Sequence, residues 1–215
     1  MMKRTLVSAL VLATLAAPAM AAREAGDFIV RAGYINVAPN ESSQDVDTGD
    51  YAGNLGEFGV DSDAQLGLNF TYMVTDAIGI EVLAATPFTH DVSLGPLGKI
   101  AEVTHLPPTV VAQYYFGSDN IRPYIGAGVN YTYFWDEDFT NNLGGDLTDL
   151  DASGSWGLAA QVGLDWELNE NWLINASVWY IDIQTDVDFK LAGTPVSIET
   201  DIDPWVYMVS VGYKF

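Results

Sequence analysis

His90 and His105 share one stretch of chain with Ser93, Asp91 and Glu102. A serine, an imidazole base and a carboxylate are the ingredients of acyl transfer, but that chemistry needs the base held against the nucleophile. No Gly-x-Ser-x-Gly elbow presents Ser93, so no catalytic residue is assigned and no enzyme is expected. The two histidines are expected at a solvent-exposed rim. Asp45-Val46-Asp47-Thr48-Gly49-Asp50 begins like a calcium loop. Its sixth position is Asp50 where glycine is required, and its twelfth is Gly56 in place of an acid. A solvated acidic surface accounts for it better, and neither metal nor cofactor is expected. The absence of cysteine removes disulfides, thiolate metal sites, a thiol nucleophile and a lipid-modified N-terminal cysteine.

The 215 residues carry 29 acids against 8 lysines and arginines, a net charge of −21. Such a surface repels phosphate, so nucleic acid is excluded as a partner. A disordered acidic chain would be poor in apolar groups, yet 49 % of these residues are hydrophobic and 12 % aromatic. Lys3 and Arg4, the apolar run Thr5 to Ala17 and the small-residue pattern Ala19-Met20-Ala21 read as a secretory signal peptide over 1–21. That leaves 22–215 as one domain. The apolar run is shorter than the ~20 residues a helix needs to cross a bilayer. Residence in a membrane would therefore have to be as a β-barrel.

Alternation of apolar and polar residues supports that reading. It is clearest in 64–73, 155–167 and 205–215, and recurs at 27–37, 77–86, 106–116, 121–134 and 172–183. Each segment approximates the ~9–11 residues of a tilted membrane strand. Short turns at 75–76, 117–120 and 169–171 alternate with long connections at 39–63, 86–105, 135–152 and 184–203. The layout predicts an all-β fold: an eight-stranded antiparallel transmembrane β-barrel with four long extracellular loops and three short periplasmic turns. The long connections hold most of the acids, while Trp156, Trp166, Trp172, Tyr72 and Tyr213 fall near strand ends on the apolar faces.

Eight strands leave an interior barely wide enough for side chains, which argues against a general aqueous pore. Strand parity turns Arg31, Glu81, Arg122, Asp165 and Glu167 inward near the short-turn end, where they should pair as a polar plug. Nearer the long connections it turns in Leu83, Val111, Trp179, Ile181, Ile183, Val206 and Met208. This patch either binds a hydrophobic solute or simply fills the core. Pro87, Pro107 and Pro108 fall near the outer ends of the third and fourth strands. They either end those strands or open a lateral gap in the wall, since proline brings no N–H to a ladder.

Gln65-Leu66-Gly67-Leu68, Thr71-Tyr72-Met73, GIEVLAATPF (79–88), HLPP (105–108), RPYIGAGVNYTYF (122–134), SVWYIDI (177–183), Asp203-Pro204-Trp205-Val206 and the terminal Gly212-Tyr213-Lys214-Phe215 resemble the outer membrane protein W (OmpW) family. The resemblance spans the mature chain and fades at 39–63 and 135–152. It implies a barrel in the outer membrane of a Gram-negative bacterium, with a narrow hydrophobic channel. That channel would take up small hydrophobic molecules, as in the alkane-uptake protein AlkL, with lateral exit. An apolar constriction in the lumen is implied, for which Leu83 and Trp179 are the candidates. The resemblance also implies that the closing strand, through Tyr213 and Phe215, is read by the barrel-assembly machinery. Outer-membrane lipid, lipopolysaccharide and small hydrophobic solutes would be the other partners. The alternative is a structural or receptor/adhesin barrel whose acidic loops bind a partner.

Overall fold

The computed structural model describes residues 23–47, 49, 53–117 and 120–215. The expected leader, 1–21, lies outside them. In chain order the strands are β1 (Phe28–Ala38), β2 (Ser42–Ser43), β3 (Phe58–Val60), β4 (Asp63–Met73), β5 (Ile78–Ala85), β6 (Phe88–Leu94), β7 (Lys99–Leu106) and β8 (Thr109–Tyr115). They continue with β9 (Ile121–Phe139), β10 (Leu147–Ala152), β11 (Ser155–Glu167), β12 (Trp172–Ile181), β13 (Gln184–Leu191), β14 (Thr194–Asp201) and β15 (Trp205–Lys214). Among the described residues the helical structure is a single 3-10 turn, Gly95–Leu97.

Eight strands close into an antiparallel barrel in the order β1, β4, β5, β8, β9, β11, β12, β15. The seam is β1 on β15, Ile29 opposite Lys214 through Ala38 opposite Trp205. Closure gives each of the eight strands a neighbour on both sides, as a chain surrounded by hydrocarbon requires. The period-2 pattern dictates which way each side chain faces. Leu66, Phe70 and Tyr72 of β4 point out, as do Trp156, Leu158, Val162, Leu164 and Trp166 of β11. Trp205, Tyr207, Val209 and Val211 of β15 do the same, while their neighbours Val206, Met208 and Ser210 are buried.

At the lower end the strands are joined by tight turns. Thr75 Oγ1 accepts the Ile78 N–H at 3.0 Å, and Asn169 Oδ1 accepts that of Trp172 at 2.9 Å. The upper connections are not the irregular loops expected from the sequence. β6 and β7 form a hairpin that continues the wall, with Leu106 opposite Tyr133 and Ala101 opposite Phe139 of the long β9. β10, β13, β14 and β2 form a separate four-stranded sheet. The two layers bury Val46, Leu55, Phe58, Leu94 and Ile100 against Leu147, Phe189, Leu191 and Ile198, giving a second apolar core above the barrel.

Candidate functional site

The lower lumen is closed by charge. Arg31 lies fully buried, its Nη1 2.7 Å from Glu81 Oε2 and its Nη2 2.6 Å from Asp165 Oδ2. Arg122 Nε lies 3.4 Å from Glu167 Oε1. The five charges expected there are thus brought together. Arg23, which strand periodicity does not reach, joins them from the N-terminal side with Nη2 at 2.9 Å from Asp165 and 3.1 Å from Glu167. Three guanidinium groups face three carboxylates. Neutral partners fill in the lone pairs: Gln161 Nε2 donates to Glu81 Oε1 at 2.9 Å, and Asn175 Nδ2 to Asp165 Oδ1 at 2.7 Å. Tyr124 crosses the lumen against Gly163, where an added Cβ would fall 2.3 Å from its ring. Glycine is what admits the tyrosine there, and Asn175 Nδ2 reaches its hydroxyl at 2.9 Å.

Above this floor the lumen changes character. Leu83, Val111, Trp179, Ile181, Ile183, Val206 and Met208 are all buried in one cluster with Ile35, Phe88 and Phe134. The expected apolar patch is contiguous. Its packing leaves a cavity of only about 10 Å³ between Leu83, Ala85, Phe88, Pro107, Ile181 and Val206, room for about one water. A solute would pass only as these side chains move.

The wall beside that cavity lacks a ladder. β5 and β8 pair up to Leu83 opposite Thr109, and pairing resumes with Phe88 opposite His105. Between those pairs, 84–87 and 106–108 are not joined. Pro87, Pro107 and Pro108 occupy this stretch and bring no N–H to it. Each side is held by its outer neighbour: Thr86 N donates to the Leu66 carbonyl at 3.1 Å, and Tyr131 N to that of Pro108 at 3.1 Å.

Between the upper sheets lies a larger cavity of about 70 Å³, several times the ~10–15 Å³ that one water occupies. Apolar side chains line it, Ile100, Val103, Phe134, Phe139, Val187 and Phe189 among them. Here the structure corrects the sequence reading of the histidines. His90 and His105 are on paired strands rather than in a loop, only 5 % and 2 % exposed, and both line this cavity. Their Nε2 atoms are 3.1 Å apart, and His90 Nδ1 meets the Asp61 carbonyl. His105 stacks on Phe134 with centroids 5.6 Å apart, and Phe88 abuts both imidazoles. Ser93 Oγ donates to the Gly59 carbonyl at 3.3 Å rather than to an imidazole, so no nucleophile is activated. No group of three metal-ligating side chains occurs among the described residues.

Burial holds both imidazoles below the usual histidine range, His105 at about 3, with His90 itself a further cause for His105. Asp61, Asp63 and Asp91 push His90 the other way without prevailing. In the unfolded chain both would protonate near pH ~6.5. The stability lent by the neutral pair is therefore complete above that pH and is lost as pH falls toward about 3. Protection factors of the β6 and β7 amides, taken relative to intrinsic exchange at each pH, are expected to be lower at about pH 4.5 than at about pH 7.5, and His105→Phe to flatten the difference. An unchanged pH dependence in that variant would contradict the assignment.

Comparison with known proteins decides the lineage. The OmpW family profile matches residues 24–215. This chain belongs to the OmpW family. It is 50 % identical to outer membrane protein W of Salmonella typhimurium over 217 residues, covering 100 % of both chains. The crystal structure of OprG from Pseudomonas aeruginosa superposes with a TM-score of 0.84 at 44 % identity, covering 91 % of this chain and 99 % of that one. Outer membrane protein AlkL of Ectopseudomonas oleovorans is 29 % identical, covering 88 % of this chain and 83 % of that protein. The chain is an OmpW-family β-barrel of the Gram-negative outer membrane, lipid facing its outward apolar residues. Tyr213 and Phe215 sit at the base of β15, rings 4.7 Å apart, with Trp172 5.0 Å from Tyr213.

Proposed function

We propose that this OmpW-family barrel takes small hydrophobic molecules from outside the cell and delivers them sideways into the outer membrane. The observation that carries the reading is the missing ladder at 84–87 and 106–108, set against an apolar cluster that stands on a charged floor. In a membrane barrel the long connections face outward and the tight turns face the periplasm. A solute would enter the upper cavity, pass Phe88 into the cluster of Leu83 and Trp179, and meet the opening beside Pro107. Straight passage downward would take it through Arg31, Glu81 and Asp165, where parting buried paired charges is costly. Leaving through the wall keeps an apolar molecule in apolar surroundings throughout. The resemblance to the OmpW family, with its alkane-uptake member, implies the same solute class.

The test is uptake of toluene into cells or proteoliposomes carrying the wild type or Leu83→Asp, with folding of each verified by heat-modifiable gel migration. The wild type should raise uptake above protein-free membranes, and the folded Leu83→Asp protein should not, because a carboxylate in the apolar cluster opposes an apolar solute. Trp179→Asp makes the same test should Leu83→Asp not fold. Equal uptake in all membranes would reduce the apolar lumen to packing and shift attention to the acidic outer surface as a receptor or adhesin face.

A further inference from the structure

The prolines alone do not account for the missing ladder. Tyr115 N donates to the Ala77 carbonyl at 2.8 Å, and pairing then runs from Ile78 opposite Tyr114 to Leu83 opposite Thr109. Bonded and non-bonded positions alternate along an antiparallel pair. Positions 77, 79, 81, 83 and then 85 therefore turn their backbone groups toward β8. The neighbouring position 86 faces the other way, its N–H donating to Leu66 of β4. One more bonded pair in this register would set Ala85 N–H against the Pro107 carbonyl. Pro107 has no N–H to return, yet its carbonyl is a competent acceptor. Half of that pair is open to the chain, and the wall still stops at Thr109.

A side chain has taken up the carbonyl instead. Thr109 Oγ1 donates to the Pro107 carbonyl at 3.0 Å. Asn130 Nδ2 donates to Thr109 Oγ1 at 2.9 Å and to the Pro108 carbonyl at 3.3 Å. Thr132 Oγ1 in turn donates to Asn130 Oδ1 at 2.8 Å. A carbonyl only accepts, so every proton in this chain runs toward the two prolines. Thr109, Asn130 and Thr132 are fully buried, where water does not compete for these bonds. An unbonded carbonyl beside hydrocarbon is costly and would draw a donor across the gap. With the hydroxyl in place that pull is gone. We propose that Thr109 is a positioning residue for the lateral exit, its hydroxyl holding the Pro107 carbonyl so that Ala85 is not zipped onto Pro107. The inference rests on the reading of lateral exit and adds the device that keeps the exit open.

The test compares the full protein with Thr109→Val and Thr109→Ser, following hydrogen exchange in lipid nanodiscs and toluene uptake in proteoliposomes. Folding of each is verified by heat-modifiable gel migration. Valine keeps the branched shape suited to a strand and loses the hydroxyl, whereas serine keeps the hydroxyl and loses a methyl group. In Thr109→Val the Ala85 amide should exchange roughly two- to tenfold more slowly, the ratio one hydrogen bond supplies, and toluene uptake should fall by a similar factor. Thr109→Ser should restore both. Thr109→Ala makes the same test should Thr109→Val not fold. A role in packing alone would leave Thr109→Val like the wild type and make Thr109→Ser the poorer protein, which overturns the proposal. Unchanged Ala85 exchange in Thr109→Val also overturns it, while wild-type uptake above protein-free membranes still upholds the conduit. Wild-type uptake no greater than that of protein-free membranes overturns both.

Discussion

Arg31→Met is expected to cost about 3–5 kcal/mol, the penalty for leaving a buried charge without its partner. That is a fifth or more of the ~5–15 kcal/mol that holds a typical domain together. The partners do not suffer equally. Asp165 keeps Arg23 at 2.9 Å and Asn175 at 2.7 Å. Glu81 loses its guanidinium partner and retains only the Thr71 hydroxyl at 2.9 Å and Gln161 at 2.9 Å. Adding Glu81→Gln should therefore recover much of the loss, because a neutral amide can use those same neighbours. Urea unfolding of the refolded barrel, followed by heat-modifiable migration, measures both variants. A cost for Arg31→Met below about 1 kcal/mol, as for exposed ion pairs, would mean that the floor is wet and loosely held.

The consequence for function is direct. A floor balanced between three cations and three anions is stable only while all are paired, so opening it for each passing solute would repeatedly expose unpaired buried charge. The wall beside Pro107 asks for no such disruption, since no ladder joins 84–87 to 106–108 there.

The barrel was legible in the sequence because period-2 alternation sorts Leu66, Phe70 and Tyr72 outward and Asn69 and Thr71 inward without reference to any other strand. The plug was legible for the same reason, since parity alone turns Arg31, Glu81 and Asp165 to one side. The upper sheets alternate too: in β13 Thr185, Phe189 and Leu191 are buried while Asp186, Asp188 and Lys190 are exposed. High acid density makes such a segment read as a solvated loop, and only the facing sheet shows that its apolar half is covered. Arg23 stands before the first strand, so no period assigns it a side. The burial of His90 and His105 depends on Phe134 and Asp61, which reach them from elsewhere in the chain. No local pattern reports such a meeting.

Lateral delivery through the proline gap is tested most directly by restoring the ladder. Pro87→Val, Pro107→Thr and Pro108→Val together supply three main-chain donors and residues suited to strands, so β5 and β6 can join β7 and β8 along the open stretch. Closure would be seen as slow hydrogen exchange at the amide of 107, which faces the open stretch, and toluene uptake would be measured on the same preparation. The upper cavity and the charged floor are untouched by these changes, and of the three prolines only Pro107 borders the small cavity in the apolar cluster. Uptake by the closed barrel should fall to that of protein-free membranes while toluene binding to the upper cavity persists. Undiminished uptake through a barrel whose ladder is demonstrably closed would contradict lateral exit and route the solute past Arg31.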